Sequence, residues 1–410
     1  MDDRVGLGTE GYSPRLLARI EYAGANECSF ERAARSLGVL SELSISAKHV
    51  QRVTERLGQE RRRERDAAVE AFKKGKLKPA YTQAPAVVGV HLDAGKIQLR
   101  EDCGGRGVRG PHWADTKVGC FLTYAAHEGD SDPQPEPPAA FVDRRRVQRL
   151  CREMERVGGK AMEGTSSCDE EVADGSETKK ERQEVGHPVR LVRTAVATMQ
   201  KSEEFGWMVA AEAMRRRFYG AKARAVVGDG GNWIGPLAEM HFPGWVQVLD
   251  FLHLLAHLYA ASRAAHDGYP KKAWACYQRW VRWAWGGEAA KVIEGLKRQQ
   301  QRLGEAPPGA GQENPRKVVS LTLQYLENNA ERMKYAEYRR AGLPITSAPV
   351  ESLIKQVNQR VKGTEKFWLE GGAESVLQSR AAYLSEDDRA EQFYQRRPRG
   401  RAVGQRRRVA

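Results

Sequence analysis

Three carboxylates occupy positions from which they could hold a divalent cation together. Asp229 lies in "AVVGDGGNWIG", directly after a short apolar run that predicts a buried strand. Asp93 ends a second short run, "AVVGVHLD", and Glu351 lies in the first turn of a predicted helix, "SAPVESLIKQVNQRVKG". Carboxylate oxygens are the ligands that Mg²⁺ and Mn²⁺ prefer, and a pair of such ions can support in-line displacement at phosphorus. The three acids therefore predict phosphoryl-transfer chemistry if the fold brings them together.

The glycines around Asp229 have two interpretations. Taken alone, Gly228-Asp229-Gly230 is more often a turn than a site, because Asp and Gly are common in turns. Glycines also lack Cβ, so a backbone or a phosphate can approach them closely, and ligands collect at strand ends in mixed α/β sheets. We expect Asp93 and Asp229 to end two strands that pair with each other, which favours the site.

The predicted helix that carries Glu351 has two distinct faces. Its apolar face consists of Val350, Ile354, Val357 and Val361. The opposite polar stripe consists of Glu351, Lys355, Asn358 and Lys362. This pattern predicts a helix that packs on the core and presents Glu351 to a site.

The elements that must position these acids are predicted in the order β-β-β-α-β-α-β-α. The first three strands are predicted at 87–92, 97–99 and 117–126, with a turn at Asp93-Ala94-Gly95. They are followed by a helix from about Leu191 to Tyr219, a strand at 223–229, a short helix at 233–240, a strand at 245–250, helical segments at 251–303 and 318–341, and a helix that starts near 347. Two strand-end aspartates and a helix glutamate in this order indicate an α/β, RNase H-like fold, with a mixed sheet flanked by helices.

Two longer stretches resemble one known family. "VVGDGGNWIGPLAEMHFPGWVQVLDFLHLLAHL" is similar to the second-aspartate region of bacterial insertion-sequence transposases of the ISKra type, which are DDE transposases of the Mutator-like superfamily. "YLENNAERMKYAEYRRAGLPITSAPVESLIKQV" is similar to the segment that leads to the catalytic glutamate of that family. The resemblance implies that Asp93, Asp229 and Glu351 form the DDE triad and bind Mg²⁺ or Mn²⁺, as two ions. It also maps the family's [C/D]-x-x-H motif onto Asp250 and His253.

The resemblance and the local patterns together predict five regions. Residues 1–80 are helical and include a possible helix-turn-helix, and residues 81–250 are the first part of the core, with a flexible acidic insertion at about 128–188. An all-helical insertion follows at 251–345, then the Glu-bearing helices of the core at 346–385 and a basic, disordered tail at 386–410. The similarity to the family extends from about Val87 to Leu384.

The segment "LDFLHLLAHL" offers a second possible metal site. His253 and His257 are four residues apart and share a helical face with Asp250 nearby. No Glu follows His253, so the segment is not the H-E-x-x-H motif of metalloproteases. Paired histidines on an apolar helix are more often structural than ligands. We interpret Asp250 and His253 as active-site neighbours that orient the scissile phosphate or the substrate base, and His257 as structural.

The charge of the chain favours a polyanionic partner. The 410 residues carry a formal net charge of +14, and nucleic acid fits this charge better than an acidic membrane surface. No apolar run approaches the length of about 18 residues that a membrane-spanning helix needs. The candidate DNA-binding residues are Lys48, Arg52, Arg56, Lys355, Lys362, Arg396, Arg397, Arg406, Arg407 and Arg408.

Two predicted helices near the N-terminus could contribute base recognition. Ser29 and Ser46 are predicted N-caps of helices joined by a short apolar link, as in a helix-turn-helix. The same pattern fits an ordinary helical hairpin, and we slightly favour the hairpin over a base-reading helix-turn-helix. The run "RLGQERRRERDAAVEAFKKGKLKPA" is predicted to be a solvated connecting helix. Tryptophans 274, 280, 283 and 285 are predicted to pack in a helical core, with base stacking as the alternative.

The sequence therefore predicts a transposase that cuts and joins double-stranded DNA at the ends of its own element. Such a protein would act as a homodimer or higher oligomer, because transposition joins two ends, and would work in the bacterial cytoplasm at the nucleoid. The alternative is a catalytically decayed or repurposed relative that only binds DNA. A third possibility is a metal-dependent hydrolase of small substrates that uses Asp250, His253 and His257.

Overall fold

A five-stranded mixed sheet forms the centre of the protein. The computed structural model describes residues 12–100, 112–125, 129–157, 188–363 and 366–397. The strands are β1 (Val87–Leu99), β2 (His112–Ala125), β3 (Val189–Thr198), β4 (Ala223–Gly228) and β5 (Val246–Leu249), in the order β3-β2-β1-β4-β5. β1, β2 and β3 pair antiparallel, whereas β4 runs parallel to β1 and β5 runs parallel to β4. With helices on both faces, this α/β architecture is compatible with an RNase H-like core.

The first strand is longer than its sequence suggests. The predicted turn at Asp93-Ala94-Gly95 is wrong, because β1 continues through it and pairs Asp93 with Val118 and Gly95 with Thr116. The strand period explains the continuity, since it returns Ile97 to the face of Val87, where Ile97 is fully buried. Asp93 therefore lies inside a strand and not at its end.

The third strand is also not the predicted one. Residues 189–198 form β3, and the predicted helix from Leu191 to Tyr219 is reduced to α6 (Ser202–Arg215). "VRLVRTAVAT" is rich in β-branched residues, and its backbone pairs with β2 along the open edge of the sheet. The predicted element order is thus realised with β1, β2 and β3 as its first three strands.

Helices cover both faces of the sheet. One face carries Val88, Val90 and Leu92 and packs against α3 (Ala47–Lys73), α6 and α7 (Ile234–His241). The other face carries Val87 and Ile97 and packs against α13 (Ala348–Val361) and α14 (Glu370–Leu384). The predicted apolar face of α13 is buried in that core.

Between β5 and α13 lies a group of helices whose aromatic side chains are part of the core on the α13 side of the sheet. It comprises α8 (Phe251–Ala265), α9 (Pro270–Trp285), α10 (Ala289–Leu303), α11 (Pro315–Asn328) and α12 (Tyr335–Arg340). Trp280 and Trp285 are fully buried there, as predicted. The predicted single helix over 318–341 is wrong: the Asn329 side chain donates to the Tyr325 carbonyl at 2.9 Å, and α11 ends there.

The N-terminal helices are α1 (Pro14–Asn26), α2 (Phe30–Ser41) and α3, and both predicted serine caps are confirmed. The predicted solvated connector is wrong in part, because it is the second half of α3 and its inner face is packed. Arg61 is buried in an ion pair with Glu21, and Gly58 lies against the backbone of Ser375. The helices also contact α13, where Arg360 donates from Nε to the Gly24 carbonyl at 2.7 Å.

Two segments that were predicted to be flexible contain packed helices. Within the predicted insertion at 128–188, residues 139–157 form α4 (Ala139–Val142) and α5 (Arg144–Val157), and Val147 and Cys151 are buried in the core. Residues 158–187 lie outside the described part. Within the predicted tail, α15 (Arg389–Gln395) buries Phe393 and Tyr394 against the N-terminal helices. Apolar side chains at helical spacing explain both corrections. None of the described helices is long and apolar enough to cross a membrane.

Candidate active site

Three parallel strands each lead to an aspartate at the same level of the sheet. Leu92, Gly228 and Leu249 are register partners across β1, β4 and β5, and Asp93, Asp229 and Asp250 are the residues that follow them. Neighbouring residues at one level of a parallel sheet point to the same face. The sheet therefore brings Asp93 and Asp229 together as predicted and adds Asp250.

The Gly228-Asp229-Gly230 segment is both a turn and a held carboxylate. Gly230 has φ 83°, and a Cβ there would lie 2.9 Å from Tyr325, so the residue type is dictated by conformation and by space. The Gly231 N–H donates to Asp229 Oδ1 at 2.9 Å, which fixes the carboxylate. The Tyr325 hydroxyl donates to the Asp229 carbonyl at 2.7 Å and fixes the backbone.

Glu351 lies in the first turn of α13, as predicted, and faces Asp250 and His253. The Ser347 hydroxyl donates to Glu351 Oε1 at 2.8 Å, and the Ser347 N–H donates to Asp250 Oδ1 at 2.6 Å. Asp250 caps α8 by accepting from the His253 N–H, and its Oδ2 lies 2.6 Å from His253 Nδ1. Ligand atoms of Asp250, His253 and Glu351 lie within 4.8 Å of one another. We call Asp93, Asp229, Asp250, His253 and Glu351 the acidic cluster.

The charges of the acidic cluster repel one another. Burial, followed by the charges of Asp229 and Glu351, raises the pKa of Asp93 to about 7. Burial and the charge of Asp250 also raise the pKa of Glu351. Burial opposes the charged form of His253, but its hydrogen bond to Asp250 and the surrounding carboxylates outweigh burial and raise its pKa to about 9. A single imidazolium faces four carboxyl groups, so the cluster has an excess of negative charge.

The carboxylate oxygens of the acidic cluster are of the kind that a hard divalent cation prefers, although the residues whose ligand atoms lie within 4.8 Å of one another are Asp250, His253 and Glu351, without Asp93 and Asp229. Mg²⁺ and Mn²⁺ prefer carboxylate oxygens, and a cation among Asp93, Asp229 and Glu351 would relieve the repulsion that raises the pKa of Asp93. Asp250 is less suited as a ligand, because both of its oxygens already accept hydrogen bonds from Ser347 and His253. We therefore interpret Asp250 and His253 as residues that position the cluster and not as metal ligands.

The predicted DNA-binding residues fall on two surfaces. Lys48 and Arg52 are exposed near the start of α3, where Arg56 lies 3.9 Å from Glu60. Lys355 is exposed on the polar stripe of α13, whereas Lys362 is half-buried and follows the last residue of the helix. Arg396 and Arg397 instead form ion pairs with Glu64 and Glu60 on α3, so they are tied to the protein surface. Arg406, Arg407 and Arg408 lie outside the described residues.

Three residues near the cluster were missed by sequence reasoning. Tyr325 contacts Asp229 across 96 positions of sequence and stacks on His257 at 4.0 Å, so no local pattern could reveal it. His91 is fully buried two residues before Asp93, and its Nε2 lies 2.9 Å from the Tyr124 hydroxyl. Ser347 precedes α13. Of the three residues, it is the one whose role has a local sequence signal, because it lies four residues before Glu351 in "TSAPVES".

His257 lies apart from the donor set. Burial, followed by the charge of His253, lowers its pKa to about 4. Its ring is stacked on that of Tyr325, with the ring centres 4.0 Å apart. This environment favours the structural interpretation of His257.

Comparison of the sequence with protein-family models and with curated proteins gives no significant match.

Proposed function

We propose that this chain is a DNA transposase that cuts DNA strands at the acidic cluster and joins them to a target. The observation that carries the proposal is the alignment of Asp93, Asp229 and Asp250 at one level of the sheet, with Glu351 next to Asp250. A buried group of like charges of this kind calls for a cation, and the resemblance to ISKra-type transposases points to three of these four acids, Asp93, Asp229 and Glu351.

The finer architecture follows from the same proposal. The sheet and its covering helices are an RNase H-like core, and α8 to α12 are an insertion between β5 and the helix that carries Glu351. The N-terminal helices bind the ends of the element, with Lys48 and Arg52 at the start of α3 as phosphate or base contacts. The hydrogen bond from Arg360 to the Gly24 carbonyl then connects the end-binding N-terminal helices to α13, the helix that carries the catalytic glutamate.

The residues of the cluster divide the work. Asp93 and Asp229 hold Mg²⁺ or Mn²⁺, and Glu351, oriented by Ser347, completes the ligand set. When bound, two such ions activate the attacking oxygen and stabilise the leaving oxygen. His253, oriented by Asp250, contributes positive charge toward the scissile phosphate.

The proposed reaction has two displacements at phosphorus. In the first, a water oxygen bonds to phosphorus and the bond to the 3′ oxygen of the element breaks, which leaves a 3′-hydroxyl and a 5′-phosphate. In the second, that hydroxyl attacks a target phosphate and displaces the target's own 3′ oxygen. The partner is double-stranded DNA. Because two ends must be joined, the protein acts as a homodimer or a larger assembly. The reaction takes place in the bacterial cytoplasm, at the nucleoid.

The runner-up function is DNA binding without catalysis by a decayed or repurposed relative. A small-substrate hydrolase built on Asp250, His253 and His257 fits less well, because His257 is stacked on Tyr325 and the surface is strongly basic. The hydrolase does not account for the position of Asp93 beside Asp229, whereas a decayed relative would inherit it.

A plasmid-nicking assay separates the three functions. A supercoiled plasmid with the gene's own flanking DNA is incubated with wild type, Asp229→Asn, or a His253→Ala/His257→Ala double variant, with Mg²⁺, Mn²⁺ or EDTA. We expect metal-dependent cuts at the element's boundaries that Asp229→Asn lacks, although it binds the same DNA in a gel-shift assay. Binding without cutting by every protein supports the decayed relative. Mn²⁺ binding, measured separately by isothermal titration calorimetry and lost only in the histidine variant, supports the hydrolase.

A further inference from the structure

The helix α5 carries three exposed arginines that form no ion pair with a described residue. They are Arg145, Arg149 and Arg152, which we call the arginine stripe. The part of α5 whose side chains are described, 144–152, contains five arginines and no acid. Several basic side chains of α3 are instead paired with acids on the same helix, for example Arg62 with Asp66. The arginine stripe therefore leaves positive charge available to an external anion.

The arginine stripe lies opposite to the buried side of α5. At about 100° per residue, its arginines lie within about 60° of one another and extend over about 10 Å of the helix. Val147 and Cys151 project from the opposite side and are buried in the core. Gln148 Nε2 also donates to the Tyr259 hydroxyl on α8 at 3.1 Å. The stripe is thus held on a packed helix and directed toward solvent.

The charges of the arginine stripe do not help α5 to fold. Arg145 and Arg149 are four residues apart, and like charges at this spacing destabilise a helix. A bound polyanion would neutralise them. Duplex DNA supplies one negative charge per about 1.7 Å of its axis, and a guanidinium group can bind a phosphate through two parallel hydrogen bonds. The exposed residues at 144–152 are all arginines, so this surface offers phosphate contacts and lacks the free amides that read adenine.

From these observations we infer that the arginine stripe binds the phosphate backbone of duplex DNA and does not read its bases. α5 lies in the segment between β2 and β3, so this contact adds to those proposed for the N-terminal helices. A contact that is independent of base sequence suits target DNA as well as the ends of the element. The inference rests on the proposed function for the choice of DNA as the polyanion.

The test measures how salt weakens DNA binding. Two fluorescein-labelled duplexes of equal length, one of the flanking DNA and one of unrelated sequence, are titrated in EDTA over a series of NaCl concentrations. The proteins are wild type and the triple variant Arg145→Gln/Arg149→Gln/Arg152→Gln. We expect the slope of log affinity against log salt to become shallower by about 2.7 in the variant, since each lost phosphate contact contributes about 0.9. The change should be the same on both duplexes, because the stripe contacts no bases.

Two control variants separate a phosphate contact from a change in net charge. The same positions changed to lysine keep the charge and should keep most of the wild-type slope. Lys291→Gln/Lys297→Gln/Arg298→Gln removes three exposed cations from α10 and should leave the slope unchanged, because each is already paired with an acid. These pairs are Lys291 with Glu288, Lys297 with Glu327, and Arg298 with Glu294. Glutamine keeps the helix-forming tendency of arginine, so circular dichroism should show a folded protein in each case.

Three outcomes would overturn the inference. An unchanged slope in the arginine variant removes the contact, and an equal change in the α10 variant shows an effect of net charge alone. A loss confined to the flanking duplex shows that the stripe reads bases. The proposed function fails differently: wild type that binds DNA through the stripe but does not cut in the plasmid-nicking assay refutes the transposase and leaves this contact in place.

Discussion

Replacement of Asp93 by Asn should make the metal-free protein more stable while it removes the proposed ligand. Asp93 is 8% exposed, and burial together with Asp229 and Glu351 raises the pKa of its carboxyl group from 3.8 to about 7. An amide of nearly the same shape carries no charge, so the variant escapes both burial of a charge and repulsion. A residue that served only to stabilise the fold would show the opposite effect.

The magnitude and the pH window follow from that difference in pKa. At about 1.4 kcal/mol per pKa unit, the ionised carboxylate destabilises the folded state by up to about 4 kcal/mol. Because folding raises this pKa, the group's contribution to stability is intact below about pH 4 and is lost as the pH rises to about 7. The gain from Asp93→Asn should therefore be about 1–4 kcal/mol at pH 8 and close to zero at pH 4.

Urea unfolding followed by circular dichroism measures this effect. Wild type, Asp93→Asn and the control Asp115→Asn are compared in EDTA at both pH values, since Asp115 is an exposed carboxylate on the neighbouring strand. Added Mn²⁺ should stabilise wild type more than Asp93→Asn, because only wild type keeps the full ligand set. If Asp93→Asn is no more stable than wild type at pH 8 in EDTA, the account of the acidic cluster as a repelling group of charges is refuted.

Two further predictions concern side chains that support the site and the N-terminal helices. Tyr325→Phe removes the hydroxyl that holds the Asp229 carbonyl, so cleavage should fall about 10- to 100-fold with DNA affinity unchanged, while the control Tyr338→Phe should cut normally. A parallel loss in both variants, measured by initial nicking rates, would contradict the positioning role. Arg61→Met leaves Glu21 buried without its cation and should cost about 3–5 kcal/mol in urea unfolding. The double variant with Glu21→Leu should recover much of that cost, and an equal loss in the double variant would refute the reasoning.

Local sequence patterns predicted the elements that carry Asp229 and Glu351. The run before Asp229 is short and apolar and is followed by glycines, and β4 ends at Gly228, one residue before the predicted end of the strand. The recurrence of aliphatic side chains at intervals of four and three residues predicted α13 and the position of Glu351 in its first turn. The end of β4 and the face of α13 could be predicted because both depend only on residues that are close in sequence.

The features that were mispredicted depend on distant partners. β1 passes through Asp93-Ala94-Gly95 because β2 supplies an uninterrupted hydrogen-bonding ladder. α3 was predicted to be solvated because it is densely charged, but one of its arginines, Arg61, is buried and pairs with Glu21. β3 forms because β2 offers an edge to it. Asp250 was recognised from a motif, but its alignment with Asp93 and Asp229 requires the register of three strands.

Strand transfer from a pre-cut end separates a transposase from a protein that only binds DNA. A labelled duplex of the flanking DNA that ends in a 3′-hydroxyl at the boundary is mixed with a target plasmid, Mg²⁺ and either wild type or Asp229→Asn. If the protein is a transposase, we expect wild type to join the labelled DNA covalently to the plasmid. We expect no joined product with Asp229→Asn or with EDTA. Absence of joined product from a wild-type protein that still binds the labelled end would contradict it and leave a DNA-binding protein without transposase activity.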